Sequence, residues 1–472
     1  MQPKTYEEWK QQALEADARS GADEWKVTES SDLYDYKVIR RRFEEISTLR
    51  QSGDLHELQF YLNEGIHGNM GGMGAPNLYT KCEFGTKKLI TDYIFEIVAA
   101  LEQLAEASES DISTRDKIDL FRRASLCFGR SALMFSGAGS QGPFHIGVAK
   151  ALSEQGLIPN IVSGASAGSI IAGIIGTCDG ALLKDRLSNS EIIDAFQVIN
   201  AAENLSNKKP TDPLQDLISL IADLVPDMTF AESFEESGRY INVSVAPTEL
   251  KQRSRLLNAI TSPNALIREA ILASCAVPGV FPAVQLAARD SHGNKKAYVP
   301  SRRWIDGSIT SDLPTRRLSR LYSVNHFISS QTNPLVLWAL QDRNSSDPWS
   351  RFVNIYQSAA REWLRAIYPM TMELMPSAHL QNVNMRMLFE ILTQEYTADI
   401  TILPNRKNAH LGPILSAATS YEARVMVADG EYSTWPRIEQ IRICTAISRK
   451  LDEILNRIGS AVEMSPVEAR IA

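Results

Sequence analysis

Between Asp32 and Gly53 the apolar positions Tyr36, Ile39, Phe43, Ile46 and Leu49 recur at steps of three and four. That spacing predicts a helix with one buried face, and Gly53 supplies its stop. TKKLITDYIFEIVAALEQLAEA carries the same period, while the intervening GNMGGMGAPN reads as a loop from its glycines and proline. From Ala132 the pattern changes. ALMF reads as a strand, PFHIGVAKALSEQ as a helix, NIVSG as a strand and SAGSIIAGIIG as a second helix. This βαβα order favours a parallel sheet covered by helices. RYINVSVAP and VNHFISSQTNP are further strands, and YVPSRRWIDG and TADITILP are shorter candidates. Helical spacing returns in SSDPWSRFVNIYQSAAREWLRAIYP, with Asp347 as N-cap, Pro348 at the first helical position and Pro369 as a stop. The amphipathic stretch RIEQIRICTAISRKLDEILNRI closes the pattern. No repeat or low-complexity tract interrupts it. The expected organisation is a helical region over 1–130, an α/β domain over 131–335 and a helical region over 336–472.

Composition narrows the function classes. The chain has 472 residues, 44% of them hydrophobic, so a sizeable core can form. Its 49 Lys plus Arg against 56 Asp plus Glu give a net charge of −7, which argues against general nucleic-acid binding. Five scattered cysteines without a CxxC pair fit reduced thiols in a cytoplasmic protein and supply neither a disulfide framework nor a zinc site. The opening MQPKTYEEWKQQALEADARSGADEW is too polar for a signal peptide. No run reaches the ~18 apolar residues that a membrane span requires. Membrane contact is therefore expected to be peripheral.

SGAGSQG, Ser136 to Gly142, contains GAGSQG, which satisfies the dinucleotide fingerprint GxGxxG letter for letter. A dinucleotide site also needs an acidic residue at the end of the next strand to hold the ribose. That strand, NIVSG, ends instead in GASAG, Gly164 to Gly168, a GxSxG with Ser166 at its centre. A nucleophile on a sharp strand-to-helix turn crowds its neighbours, which is why Gly164 and Gly168 flank it. The helix that follows turns its positive end toward the serine oxygen. A glycine loop at a helix N-terminus suits a tetrahedral oxyanion as well as a pyrophosphate, with the amides of Gly137, Ala138 and Gly139 as donors. The two motifs close consecutive strands, so both lie at the carboxyl edge of one sheet. Together they favour a serine hydrolase over a nucleotide site.

Ser166 needs a proton acceptor. Of seven histidines, His326 lies in the apolar VNHFI and reads as a satisfied core residue. His145 falls inside the helix after the glycine loop, poorly placed at the sheet edge, and His410 sits on a loop with nothing local to orient it. In WIDGS, Asp306 follows Trp304 and Ile305 and precedes Gly307. A carboxylate beside apolar side chains has a raised pKa and becomes a better base, yet turn aspartates are common, and spacing alone leaves both readings open. Asp312, in SDLPTRR, reads as an N-cap.

The order SGAGSQG, GASAG, DGS, with ASCAVPGVFPAV (Ala273 to Val284) between the last two, resembles the patatin-like acyl hydrolases. YEEWK, SDLYDYKVIRRR and GTKKLITDYI resemble the N-terminal DUF3336 region of the branch that contains intracellular triacylglycerol lipases. TSPNALIREAILASCAVPGVFPAV and DGSITSDLPTRRLSRLYSVNHFISSQTNP extend the similarity, which covers most of residues 1 to about 335. The resemblance implies an α/β fold of the patatin type, three layers around a mainly parallel sheet, with helical termini. It also implies a Ser-Asp dyad, with Ser166 as nucleophile, Asp306 as base, Gly137 to Gly139 as oxyanion hole, and neither metal nor cofactor. Two positions depart from the family pattern: Ala138 replaces the middle glycine of the common GGG, and Gln141 stands where many relatives carry Lys or Arg. They motivate an alternative, a lipid-binding or scaffolding protein of weak turnover; a Ser-His-Asp hydrolase using His326 or His410 is a second.

The expected partner is a lipid substrate at a membrane or droplet surface. Trp349, Phe352, Tyr356, Trp363 and Ile367 lie on one side of the 348–368 helix, with Arg351, Arg361 and Arg365 elsewhere. This suits an interfacial helix, although packing on the catalytic domain is the commoner use of such a face.

Overall fold

A computed structural model describes residues 3–189, 192–193, 213–249, 252–308, 312–332, 398–405 and 419–463. The described chain forms two compact units that are not consecutive in sequence. One draws on 1–131, 319–326 and 435–472, the other on 132–318 and 327–434.

In the first unit, the helices Tyr36–Ser52, Lys88–Glu106 and Thr114–Phe128 share a core with the C-terminal helix Ile438–Glu463. Ile39 and Ile46 are fully buried, and Tyr36, Phe43 and Leu49 pack around them. Each such Ile contributes roughly 2 kcal/mol of burial. Gly53 ends its helix in the left-handed region at φ 73°, as its position predicts. The C-terminal helix joins this unit because Ile443, Ile447, Leu451 and Ile454 fill the same core. Glu102 on Lys88–Glu106 also meets Arg457 at 2.7 Å and Lys450 at 3.3 Å. Sequence periodicity assigns that helix a buried face but not a partner. Buried Asp17 ties residues 83–84 to the helix Tyr6–Ser20, accepting the Glu83 and Phe84 N–H groups at 2.7 and 3.0 Å and pairing with Lys26.

The second unit is built on a seven-stranded sheet. Its strands are β1 (Arg130–Phe135), β2 (Ile161–Gly164), β3 (Tyr240–Pro247), β4 (Arg255–Leu257), β7 (Trp304–Asp306), β8 (Val324–Ser330) and β9 (Ile400–Ile402). β5 (Ala287–Arg289) and β6 (Lys295–Ala297) form a separate hairpin. The sheet order is β4-β3-β2-β1-β8-β9, with β7 also on β3. β1, β2 and β3 are parallel in the register Phe135↔Gly164↔Val243, and β8 and β9 are parallel; β4 and β7 run antiparallel to β3. The continuous burial of β1 and β2 is that of parallel strands covered on both faces.

The helix Gly142–Glu154 leaves the glycine loop and lies against Ser420–Thr434. Contact is backbone to backbone. A Cβ on Gly147 would stand 1.9 Å from the Val427 carbonyl oxygen, and one on Gly430 would stand 2.2 Å from that of Phe144. The glycines thus hold the helix that carries the loop at a spacing no side chain permits. Among the described residues no helix is long and apolar enough to cross a membrane. The 348–368 segment lies outside the described residues.

Candidate active site

Two βα junctions and one antiparallel strand end converge at the carboxyl edge of β1 and β2. After β2, the chain turns sharply at Ser166, whose φ of 50° and ψ of −129° are costly for any residue with a side chain. The turn is held by hydrogen bonds. Ala165 N–H donates to the Phe135 carbonyl at 3.2 Å, Gly168 N–H to Ala165 O at 2.9 Å, and Ser166 N–H to Ser274 Oγ at 2.9 Å. Ser274 in turn donates to the Ser244 carbonyl at 2.7 Å, so one buried hydroxyl ties the elbow to β3. Gly164 and Gly168 are sterically obligatory: a Cβ on the first would lie 2.2 Å from Gly168 O, and on the second 2.5 Å from Phe135 O. Helix Ala167–Gly176 starts directly after the serine, directing its N-terminal dipole there.

Asp306 ends β7, which the Val245↔Asp306 register fixes against β3. Antiparallel pairing brings the carboxylate back to the edge where Ser166 stands. Asp306 is 1% exposed and accepts a hydrogen bond from Ser308 N–H at 2.7 Å, and the Ser308 and Ser166 hydroxyls add hydrogen-bonding stabilisation to its charged form. Burial pushes its pKa up from 3.8 to about 6, and these hydrogen bonds partly oppose the rise. Gly307 lets the turn pass β3, where a Cβ would lie 2.2 Å from Ser244 O. Cys275 lies near enough that the carboxylate adds to burial in raising its thiol pKa.

The glycine loop follows β1. Ala138 adopts φ −130° and ψ −21°, open to any L-residue, while Gly139 takes the positive φ of 52°. Alanine in place of the middle glycine is therefore unstrained here. Gly137 presses on the segment after Asp306, with a notional Cβ 2.9 Å from Ser308 Cβ. Its N–H is engaged, donating to Asp312 Oδ1 at 2.7 Å. That changes two expectations. Gly137 is not poised as an oxyanion donor beside Ala138 and Gly139, because its hydrogen is directed to a carboxylate. Asp312 is not the N-cap of helix Thr315–Tyr322, since it lies two residues before the cap position and turns to the glycine loop instead. Gln141 is the last residue of the short turn, its N–H donating to Ala138 O at 3.0 Å.

The histidines sort as follows. His326 pairs with Ser131 Oγ at 3.0 Å, at the amino ends of β8 and β1, the opposite end of those strands from the glycine loop. His145 is fully buried, and both ring nitrogens are engaged, Nδ1 with Ser330 Oγ at 2.7 Å and Nε2 with the Ser136 carbonyl at 3.0 Å. His410 lies outside the described residues. Among those residues no cluster of three or more His, Cys, Asp or Glu could hold a metal. Sequence reading missed Ser274 and the role of Asp312; both sit inside quoted motifs, but their partners are distant in the chain.

This edge of the α/β sheet thus presents a serine on a strained elbow, a buried aspartate and a glycine loop. The profile of the patatin-like phospholipases matches residues 133–318, and that of a domain of unknown function, DUF3336, matches residues 1–126. Triacylglycerol lipase ptl3 of Schizosaccharomyces pombe is 30% identical to this chain, covering 94% of it and 93% of the relative. Triacylglycerol lipases 4 and 5 of Saccharomyces cerevisiae are 30% and 28% identical over 96% and 93% of this chain. The chain spans 52% and 62% of their respective lengths. The chain belongs to the patatin-like phospholipase family, in the branch that carries an N-terminal DUF3336 domain.

Proposed function

We propose that this protein is a serine ester hydrolase of the lipase type, acting on acylglycerol or phospholipid esters through Ser166 and Asp306. The observation that carries the reading is the placement of Ser166, on its strained elbow at φ 50°, beside the fully buried Asp306, whose charged form the Ser166 hydroxyl stabilises. Asp306 accepts the Ser166 proton as Oγ bonds to the ester carbonyl carbon, and the carbonyl π electrons move to oxygen. Loop amides and the Ala167–Gly176 helix dipole stabilise that oxyanion. Collapse breaks the ester C–O bond, and the departing alkoxide takes the proton from Asp306. Water then attacks the acyl-serine, gives its proton to Asp306, and a fatty acid leaves as that proton returns to Ser166. A carboxyl with a pKa of about 6 is ionised enough at neutral pH to accept a proton and acidic enough to return it. The names of the relatives favour triacylglycerol as the lipid class.

Ser166→Ala is expected to abolish lipid hydrolysis and fluorophosphonate labelling together. Labelling that survives in the variant refutes the nucleophile. A lipid substrate implies peripheral contact with a membrane or droplet, for which the aromatic-rich 348–368 segment is the candidate on sequence pattern. Liposome flotation should weaken in Trp349→Ser/Trp363→Ser; unchanged flotation removes that segment from the proposal. The residues assigned to catalysis, Ser166, Asp306 and the Gly137–Gly139 loop, all fall within 131–335.

A further inference from the structure

The peptide unit joining Ser136 to Gly137 is gripped at both polar ends by buried side chains. At one end His145 Nε2 lies 3.0 Å from the Ser136 carbonyl oxygen; at the other Asp312 Oδ1 lies 2.7 Å from the Gly137 N–H. A carbonyl only accepts, so the ring proton sits on Nε2, and Nδ1 accepts from the Ser330 hydroxyl 2.7 Å away. Complete burial pushes the His145 pKa down to about 4, so the ring is neutral and this tautomer is self-consistent. The junction is tied again by Ser136 N–H to Ser330 O at 3.1 Å and by Thr332 N–H to Ser136 Oγ at 3.0 Å.

Such holding has a geometric consequence. A trans peptide is a rigid plane whose remaining freedom is rotation about the line between its two Cα atoms. Fixing both the carbonyl and the N–H removes that rotation. The plane leads directly into Ala138 and Gly139, so its orientation sets where their N–H groups point. Without the clamp, a flip of the plane would cost two hydrogen bonds less and would redirect the loop. A fully buried His and a 1% exposed Asp are also expensive to keep unless they hold something in place.

We propose that His145 and Asp312 are positioning residues that hold the Ser136–Gly137 peptide plane, aim the Ala138 and Gly139 amides at the tetrahedral oxygen, and remove Gly137 from the donor set. The inference rests on the hydrolase reading above. It separates loop geometry from proton transfer: neither residue touches the substrate, and their loss should act on kcat rather than on substrate binding.

The test compares Asp312→Ala, Asp312→Asn and Ser330→Ala with wild type on p-nitrophenyl butyrate, with thermal melting as a folding check. Asp312→Ala should lower kcat by on the order of 10²-fold, the usual loss for one misplaced oxyanion donor, with KM within about twofold. Asn keeps an acceptor oxygen for Gly137 N–H and should restore kcat to within about fivefold of wild type, an outcome unexpected of a role resting on charge alone. Ser330→Ala frees the His145 tautomer without opening a large cavity and should lower kcat at least about threefold at unchanged KM. Asp312→Ala at wild-type kcat, or Asn as slow as Ala, overturns the clamp. If Asp312→Ala does not fold, Ser330→Ala decides, and an unchanged kcat there overturns it. Ser166→Ala run alongside distinguishes the failures: activity surviving in that variant sinks the hydrolase reading itself, whereas its loss beside normal Asp312 variants sinks only the clamp.

Discussion

Asp306 should make the protein less stable in the pH range where it makes it active, and Asp306→Asn measures both. Its carboxyl titrates near 3.8 when unfolded and at about 6 when folded, because burial disfavours the charge more than Ser166 and Ser308 stabilise it. A folded pKa above the unfolded one contributes stability that is fully present below pH ~4 and is lost as pH rises through about 6. At 1.36 kcal/mol per pH unit, that difference amounts to roughly 3 kcal/mol at neutral pH. Asn cannot ionise, so the variant escapes this cost. It also weakens the hydrogen bond from Ser308 N–H, a loss of roughly 1 kcal/mol that is independent of pH. Asp306→Asn should therefore be the less stable protein near pH 4 and the more stable by about 1–3 kcal/mol at pH 8, with the curves crossing between. Urea unfolding of both proteins across pH 4 to 8 reads this directly. In parallel, wild-type kcat/KM on a soluble ester should rise through an apparent pKa near 6, and the variant should be inactive throughout. A stability difference that does not change with pH refutes the account of Asp306 as a buried, weakly acidic base, whatever the activity shows.

Two further outcomes follow from the packing of the elbow and of the helix that leaves the glycine loop. Ser274→Ala removes the acceptor of Ser166 N–H and the donor to Ser244 O, so kcat should fall roughly tenfold and unfolding should ease by about 1–3 kcal/mol; a variant with normal kinetics would show that the elbow holds itself. Gly147→Ala places a Cβ 1.9 Å from the Val427 carbonyl and should cost more than about 2 kcal/mol in chemical denaturation, while Gly156→Ala, at φ 64° in open space, should cost only about 1 kcal/mol. Equal losses at the two sites would refute the close helix contact.

Much of the site was legible in one dimension because its motifs are local. A serine between glycines after an apolar run can be read as an elbow, since the steric demand arises among five consecutive residues, and Ser166 at φ 50° bears the strain that the motif encodes. The strands and helices from Ala132 to Gly176 follow from periodicity for the same reason. Asp306 was a named candidate that spacing left level with a turn aspartate. What separates the two is burial at 1% exposure, which depends on β7 pairing with β3 some sixty residues earlier in the chain.

The helical and α/β segments and the family can be read from the chain alone, because each is written in short-range spacing or in a motif order specific enough to identify. That the C-terminal helix completes the N-terminal core, that Ala138 is unstrained, and that Gly137 gives its N–H to Asp312 emerge only on folding. Those outcomes turn on which distant groups meet. A hydrogen bond over 175 residues of separation leaves no periodicity behind, and an apolar stripe records that a helix is covered without recording by what.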